Sequence, residues 1–378
     1  MNDARTKSLD ERVAEKLDEQ TPDGAEVLGN ILAMLKTFVV YPSEHAAVAH
    51  ALWIGHTHFM EAWESTPRLA FLSPEPGSGK TRALEVSELL VPNPLDTVNA
   101  SAAYLFRSMG GDEGMPTILL DEADTILDPT AKQHEDVRGF VNAGHRRSGT
   151  YGRCVVHGKS VTTEKFSAYC AVALAGLGRL PDTIMSRSII IRMRRRAPDE
   201  GVQSYRRRLH KIAGYRLRDL FAKWAVSVAD TIKLPDAMPA GIEDRPADCW
   251  EALLAVADAA GGTWPEVARS AALALVQEAR ESPASLGIRL LGDVRTAFAN
   301  HESMLTNELL SALNAMDEAP WGNLKGRELD GRRLANFLTQ YGIKSRSVRS
   351  SVSGKAAKGY RRDDLHDAWV RYLPVIAA

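Results

Sequence analysis

Apolar residues recur every three to four positions from Ala25 to Trp63, with a break around Tyr41–Pro42, so this stretch predicts two helices. Residues 1–25 are charged and lack bulky apolar periodicity; they read as a frayed or helical leader. Arg68–Leu72 (RLAFL) is a short apolar run of strand length that feeds a glycine-rich turn, and a helix is expected from Lys80 to about Leu90, where Pro92 and Pro94 stop it. The pattern continues with a strand at Leu95–Val98, a helix at Ala100–Met109, a strand at Thr117–Leu120 and a helix at Gln133–Arg147. Two more apolar runs follow, Ala168–Ala175 and Ser188–Met193. Strands alternating with helices at this rhythm predict a parallel sheet covered on both faces. Beyond Pro198 the pattern is helical to about Glu281. Helices are then expected at Ile288–Phe298, Thr306–Met316, Arg332–Tyr341 and Asp363–Tyr372, with a hairpin-like stretch before the last. That order fits a winged helix. The expected organisation is an α/β protein with a helical N-terminal segment (1–65), a parallel-sheet core (66–197), a helical lid (198–285) and a winged-helix-like domain (286–378).

Composition narrows this little. The 47 basic and 48 acidic residues nearly balance, so net charge alone points to no partner, and only the distribution of charge is informative. The three cysteines, Cys154, Cys170 and Cys249, share no close spacing and suggest neither a disulfide framework nor a zinc site. No run of 18 apolar residues occurs and the first residues are polar, which predicts a soluble, cytoplasmic protein with no membrane association.

The turn after the first strand carries the candidate chemistry. Pro74-Glu75-Pro76-Gly77-Ser78-Gly79-Lys80-Thr81 ends as a Walker A loop does and stands between an apolar strand and a helix. Such a loop, a P-loop, turns Gly77, Ser78 and Gly79 backbone N–H groups toward phosphates, with the helix N-terminus adding a favourable dipole. Lys80 is expected to bridge the β- and γ-phosphates of ATP and Thr81 to hold Mg²⁺. Pro74 departs from the pattern, because it occupies the place of the first glycine and cannot adopt positive φ. Thr117–Leu120 runs into Asp121 and Glu122: the first acid is assigned to the Mg²⁺ shell, the second to orienting and deprotonating the attacking water. Asp121–Asp124 spell D-E-A-D, but the other motifs of the helicases known by those letters are absent.

Between the last two apolar runs lies LPDTIMSRS (Leu180–Ser188). It resembles the segment of ring-forming AAA+ ATPases in which a Ser-Arg projects into the next subunit's ATP site, which makes Arg187 the first candidate for an arginine finger. Arg146, Arg147 and Arg153 compete for that role, and a surface role capping a helix or pairing with Asp182 is the bland alternative. Where such proteins place a polar sensor, this chain has Ala175–Gly178; Asn142 or a backbone amide is a candidate substitute. Arg245 is a candidate sensor reaching the γ-phosphate, or else a surface arginine at a helix end, and Trp250 and Trp264 are expected to fill a core.

Taken together, SPEPGSGKTRALEV, SAAYLFR, PTILLDEADT, VNAGHRRSG, ALAGLGRLPDTIMSRSIIIRMRRR and DRPADCWEALLAVADAAGGTWPEVAR resemble a family of unknown function found in actinobacterial phages, prophages and plasmids, often beside primase-polymerase modules. The resemblance runs from about Glu26 to the C-terminus. It implies an AAA+-like P-loop ATPase that is helicase-like, works in replication and assembles into a ring, with primase or other replication proteins as partners.

From Lys344 to Arg362 there are seven basic residues, Lys344, Arg346, Arg349, Lys355, Lys358, Arg361 and Arg362, and no acid. Such a stretch suits a DNA backbone, and a solvated protein-contact surface is its alternative. A second group, Arg192–Arg196 and Arg206–Arg208, is a candidate lining for a ring interface or channel. The leading expectation is an oligomeric ATPase that couples hydrolysis to translocation, unwinding or remodelling of DNA in a mobile element. The alternatives are an ATP-switched helicase loader or scaffold, and a DNA-binding regulator or defence component with slow turnover.

Overall fold

The computed structural model describes residues 21–97, 102–109, 114–128, 131–157, 160–281, 286–316, 319–324 and 326–373. The expected leader up to residue 20, Val98 at the end of the second strand, and Ala100 and Ser101 at the start of the next helix lie outside them. The chain forms two compact units that divide between Arg280 and Glu281, so the N-terminal helices, the sheet and the helical segment after it belong to one unit.

Two helices open the first unit. Asp23 caps α1 (Gly24–Phe38) by accepting from the Ala25 and Glu26 amides, and Ser43 caps α2 (Glu44–Thr57) by accepting from Ala46. Pro42 separates them. Nearly every residue of α2 is buried, as a helix apolar on all sides requires. Behind it lies a parallel five-stranded sheet: β1 (Arg68–Ser73), β2 (Pro94–Thr97), β3 (Thr117–Leu120), β6 (Ala171–Leu177) and β7 (Ser188–Arg192), in the order β2-β3-β6-β1-β7. All six residues of β1 are buried, as expected for a strand covered on both faces. The crossovers carry α3 (Lys80–Ser87), α4 (Ala102–Ser108), α5 (Ala123–Ile126), α6 (Glu135–Ala143) and α7 (Asp182–Met185).

The expected helix to Arg147 is shorter. It ends at Ala143 and is followed by an antiparallel hairpin absent from the sequence reading, β4 (Thr150–His157) with β5 (Ser160–Ser167). A glycine makes that junction: at Gly144 a Cβ would lie 2.1 Å from the Ala168 carbonyl. Three helices complete the unit, α8 (Arg207–Val228), α9 (Asp244–Ala260) and α10 (Trp264–Glu281); Trp250 and Trp264 lie in the core as expected.

In the second unit α11 (Leu286–Phe298), β8 (Ser303–Leu305), α12 (Thr306–Asn314) and α13 (Gly331–Thr339) precede a hairpin of β9 (Arg346–Arg349) and β10 (Ala356–Arg361), then α14 (Arg362–Tyr372). The strands form an antiparallel sheet in the order β8-β10-β9, and Phe298, Trp321, Leu334, Tyr360 and Trp369 centre its own core.

Three histidines near the sheet, His50 and His56 buried and His58 half-buried, are held neutral. Ser87 donates its hydroxyl proton to the Ala83 carbonyl, so His50 donates from Nε2 to Ser87 Oγ (2.7 Å) and accepts from Tyr41 at Nδ1 (2.7 Å). His56 donates to the Trp53 carbonyl and His58 to that of Leu90. Burial lowers His50 to about 3 and His56 and His58 to about 4. Each folded value lies below that of the unfolded chain, so the unfolded state takes up more protons once the pH falls below about 6.5. Stability is therefore fully present above that pH and falls through the window from 6.5 to 4, each histidine costing about 1.4 kcal/mol per pH unit. The melting temperature of the first unit, followed by circular dichroism, is expected to drop steeply across that range. A flat profile down to pH 4.5 would contradict the neutral assignments.

Candidate functional site

Parallel strands bring their C-terminal ends to one edge of a sheet, and helices begin there. At that edge Ser73 closes β1, and the loop expected from sequence to bind phosphate follows. Gly77 and Gly79 take φ of 77° and 85°, a region open to glycine without strain, and Gly79 turns directly into α3. The Lys80 ammonium donates to Ser73 Oγ (2.5 Å) and Ser78 Oγ (3.2 Å), and among the described residues no carboxylate neutralises it at bonding distance. Desolvation lowers its pKa, against the opposing charges of Asp121 and Asp124. Ser73 holds the loop together, accepting from Lys80 and Ser78 while donating to the Glu75 carbonyl (2.6 Å). A loop that starts with Pro74 in place of glycine is thus anchored by a hydroxyl.

The acidic pair arrives from β3, two strands away. Thr81 Oγ1 donates to Asp121 Oδ2 at 2.7 Å, and the Glu122 amide donates to Asp121 Oδ1 at 2.8 Å. Glu122 has φ 53°, a left-handed backbone that costs a non-glycine residue roughly 1 kcal/mol and presents its carboxylate to solvent. A hydroxyl and a carboxylate side by side suit a hard cation. Among the described residues no group of three or more His, Cys, Asp or Glu could bind a metal alone. Two protein oxygens fit Mg²⁺ that draws its remaining ligands from phosphates and water.

Where a polar sensor was sought, Asp124 Oδ1 accepts the Leu177 amide at the end of β6 (2.8 Å), and a Cβ on Gly176 would crowd it at 3.0 Å. The substitute proposed from sequence, Asn142, is not there. Its carbonyl accepts from His145 Nδ1 near the start of β6, at the other end of the sheet.

A cleft of about 270 Å³ adjoins the loop, lined by Gly77–Gly79 and Arg82, by Phe38–Val40, and by Arg194, Arg196 and Val202–Tyr205. The Gln203 amide donates to the Thr37 carbonyl (2.9 Å) and joins its two walls, and Arg82 stacks over the Tyr205 ring at 4.7 Å. Sequence reasoning missed this cleft, since nothing in either segment alone marks a wall. Arg194–Arg196, expected in an interface or channel, follow β7 at the same sheet edge as Lys80, where Arg195 donates to the Pro76 carbonyl (3.0 Å). Arg207 pairs with Glu88, and Arg192 lies 4.0 Å from Glu278.

The arginines expected to meet the γ-phosphate lie at the opposite edge. Arg187 precedes β7, whose first residue, Ser188, aligns with Arg68 at the start of β1. Arg245 Nη1 donates to Ser186 Oγ (2.6 Å), so Arg245 sits beside Arg187 and away from Lys80 of its own chain, contrary to its assignment as a sensor. Of the competitors, Arg147 is engaged by Glu61, the Met60 carbonyl and the Trp63 carbonyl. Arg146 lines the same cleft as Arg187 and Arg245. Arg153 lies on β4, and its side chain is outside the described residues.

In the second unit Lys344, Arg346, Arg349, Lys355, Lys358 and Arg361 are exposed. Arg362 is not part of that surface. Its guanidinium bonds the His301 and Ala299 carbonyls and lies over Trp369. Arg346 pairs with Asp364, and Arg349 donates to Gly354. Arg332, Asn336 and Gln340, unmarked in the sequence reading, add exposed donors on and after α13.

Comparison with known proteins agrees with the expectation of a family of unknown function that has an actinobacterial member. Residues 192–372 match a family described as a protein of unknown function, DUF3631. An uncharacterized 28.9 kDa protein in the xis 5′ region of Saccharopolyspora erythraea is 44% identical over 184 residues, 48% of this chain and 69% of that protein. The chain belongs to this family. Among solved structures, an apo form of the NrS-1 C-terminal region aligns over 90% of this chain and 76% of its own length, at 13% identity and TM-score 0.42. A full-length MCM homologue from Methanopyrus kandleri aligns over 68% and 62%, at 12% identity and TM-score 0.41. Scores this low do not separate a shared fold from a shared layering of helices on a sheet. No helix among the described residues is long and apolar enough to cross a membrane.

Proposed function

We propose that this protein is a Mg²⁺-dependent ATPase of the AAA+ type that acts on DNA as an oligomer. The observation that carries the reading is the meeting, at one sheet edge, of the Lys80 ammonium, the Thr81–Asp121 pair and the exposed Glu122 carboxylate. Lys80, bonded only to hydroxyls, is available to phosphate oxygens. The amides around Gly77–Thr81 and the start of α3 add donors to the same phosphates. Mg²⁺, when bound, neutralises charge on the phosphates. Thr81 and Asp121 would hold it, while Glu122 orients the attacking water and accepts its proton. The cleft beside the loop has no carboxylate in its lining, which suits adenine better than guanine, whose N1–H and amino group seek an acceptor pair.

The DNA reading rests on the second unit. Its order of helix, strand, two helices and hairpin supports reading it as a winged helix. Here α13 would enter a groove with Arg332 and Asn336, and Lys344, Lys355, Lys358 and Arg361 would follow the backbone. The alternative of an ATP-switched loader draws support from one observation: β6 ends in Ala175–Gly178, with Asp124 spent on a backbone amide, so no sensor side chain stands there.

Steady-state ATP hydrolysis, measured alone and with single-stranded or duplex DNA, separates these readings. Turnover raised many-fold by DNA, with strand separation, is expected of the motor. Slow turnover indifferent to DNA would remove the motor and leave the loader, and no turnover under any condition would remove the ATPase.

A further inference from the structure

At the edge of the sheet opposite the P-loop, Arg146, Arg187 and Arg245 line one cleft with His145, Ser186 and Asp248. Every bond described for the Arg187 and Arg245 guanidiniums is to a neutral acceptor. Arg187 Nη1 donates to the Thr183 carbonyl (2.6 Å), and its Nε donates to His145 Nε2 (3.2 Å). His145 Nδ1 faces the Asn142 carbonyl at 2.7 Å and must carry the ring proton, which leaves Nε2 as an acceptor. Arg245 is held by Ser186 Oγ. Among the described residues no ion pair joins these arginines to a carboxylate, although Asp248 lines the same cleft. Burial and then Arg245 and Arg146 lower the pKa of Arg187, as gathered like charges should. Three cations against one acid form an anion site whose anion the chain itself does not supply.

The cleft has room for about 70 Å³. At roughly 10–15 Å³ for each water, that admits a phosphoryl group and excludes a nucleoside. The rest of the ligand must be held by something else. The chain's own P-loop cannot hold it, because β1 separates the two places by roughly 17 Å at 3.3 Å per residue. A second copy of this chain presents such a phosphoryl group, with its P-loop exposed at one sheet edge and this cluster at the other. Contacts of that head-to-tail kind close into rings. An apolar hollow of about 530 Å³ beside the edge strand β7, lined by Ile190, Trp250 and Val276 and sharing Arg245 with the cleft, suits the packed part of the same contact.

We propose that Arg245 acts in trans, joining Arg187 on the γ-phosphate held by the P-loop of a neighbouring copy; the inference rests on the ATPase reading above. Its test is complementation in the full-length protein. Arg245→Ala and Lys80→Ala are each expected to lose turnover, by tenfold or more for the arginine. Mixed in equal amounts, they form competent interfaces wherever a Lys80→Ala copy lends Arg245 to the intact P-loop of an Arg245→Ala copy. Random assembly makes these about a quarter of all interfaces, so turnover recovers toward that fraction of the wild type. A mixture no more active than its components overturns the proposal, provided that Arg187→Ala with Lys80→Ala does complement. If Arg245→Ala does not fold, Arg245→Lys is mixed in its place. ATP binding supplies the second readout, with one equivalent per chain expected and its loss in Lys80→Ala. A retained equivalent that Arg245→Ala abolishes would make the cluster a nucleotide site in its own right and overturn the proposal. Absence of turnover in the wild type would fell the ATPase reading and this inference together.

Discussion

Glu122→Gln is expected to leave ATP binding within a few-fold of the wild type and to lower turnover by at least about 100-fold, the usual contribution of a positioned general base. The substitution keeps the shape of the side chain and the left-handed backbone at φ 53°, and removes only the capacity to take a proton. Binding should survive because the groups proposed to hold phosphate and Mg²⁺ are elsewhere: Lys80, the loop amides, Thr81 and Asp121. The Glu122 amide donates to Asp121 Oδ1 and is untouched by the change. Lys80→Ala is the contrasting case. It removes the ammonium at the loop, and with it the donor to Ser78 and one of the two donors to Ser73, so it should abolish binding along with turnover. A fluorescent ATP analogue and a phosphate-release assay measure the two quantities separately. Turnover within tenfold of the wild type in Glu122→Gln would mean that another group activates the water, and Asp124, two residues on, would be examined next.

What the sequence disclosed follows physical lines. RLAFL and TILL were legible because strands buried on both faces are apolar throughout, and their C-terminal turns carry residues that few surface loops assemble by chance. The β4–β5 hairpin was missed for the converse reason. Thr150–His157 and Ser160–Ser167 have β-branched residues but no long apolar run, and a search for buried strands passes over them. Arg245 was misplaced because the lid of such proteins was expected over the nucleotide, whereas α9 starts beside Ser186. Only tertiary packing brings together residues 59 positions apart, and no local pattern records it. The cleft beside Gly77–Gly79 was illegible on the same ground, since its walls meet through the bond from Gln203 to Thr37. In the basic stretch, composition gave the candidates but not their commitments. Arg361 and Arg362 are indistinguishable in sequence, yet one is exposed and the other bonds two carbonyls beneath Trp369.

That distinction fixes the form of the largest effect expected in the second unit. Replacing Lys344, Lys355, Lys358 and Arg361 together with Gln should reduce the slope of log K against log salt for duplex DNA by about 3.6, at roughly 0.9 per phosphate contact. The affinity lost at 0.1 M salt is then on the order of a thousandfold, because each contact releases a condensed counterion and that gain grows as salt falls. The four side chains are exposed, so removing them should leave the melting temperature nearly unchanged. Arg362→Gln should behave in the opposite way, with a clear loss of stability, since the His301 and Ala299 carbonyls lose a charged donor, and little change in the salt slope. ATP turnover without DNA should be the same in both variants as in the wild type, because the substituted residues all belong to the second unit. Fluorescence anisotropy titrations from 50 to 300 mM salt give the slopes. If the fourfold variant keeps the wild-type slope, this surface meets no phosphate backbone, and DNA contact must be sought on the first unit. If the slope falls but DNA still stimulates turnover at saturation, the second unit tethers the strand while the ATPase edge engages it separately. Loss of slope and stimulation together would make this hairpin the route by which DNA reaches the nucleotide cycle.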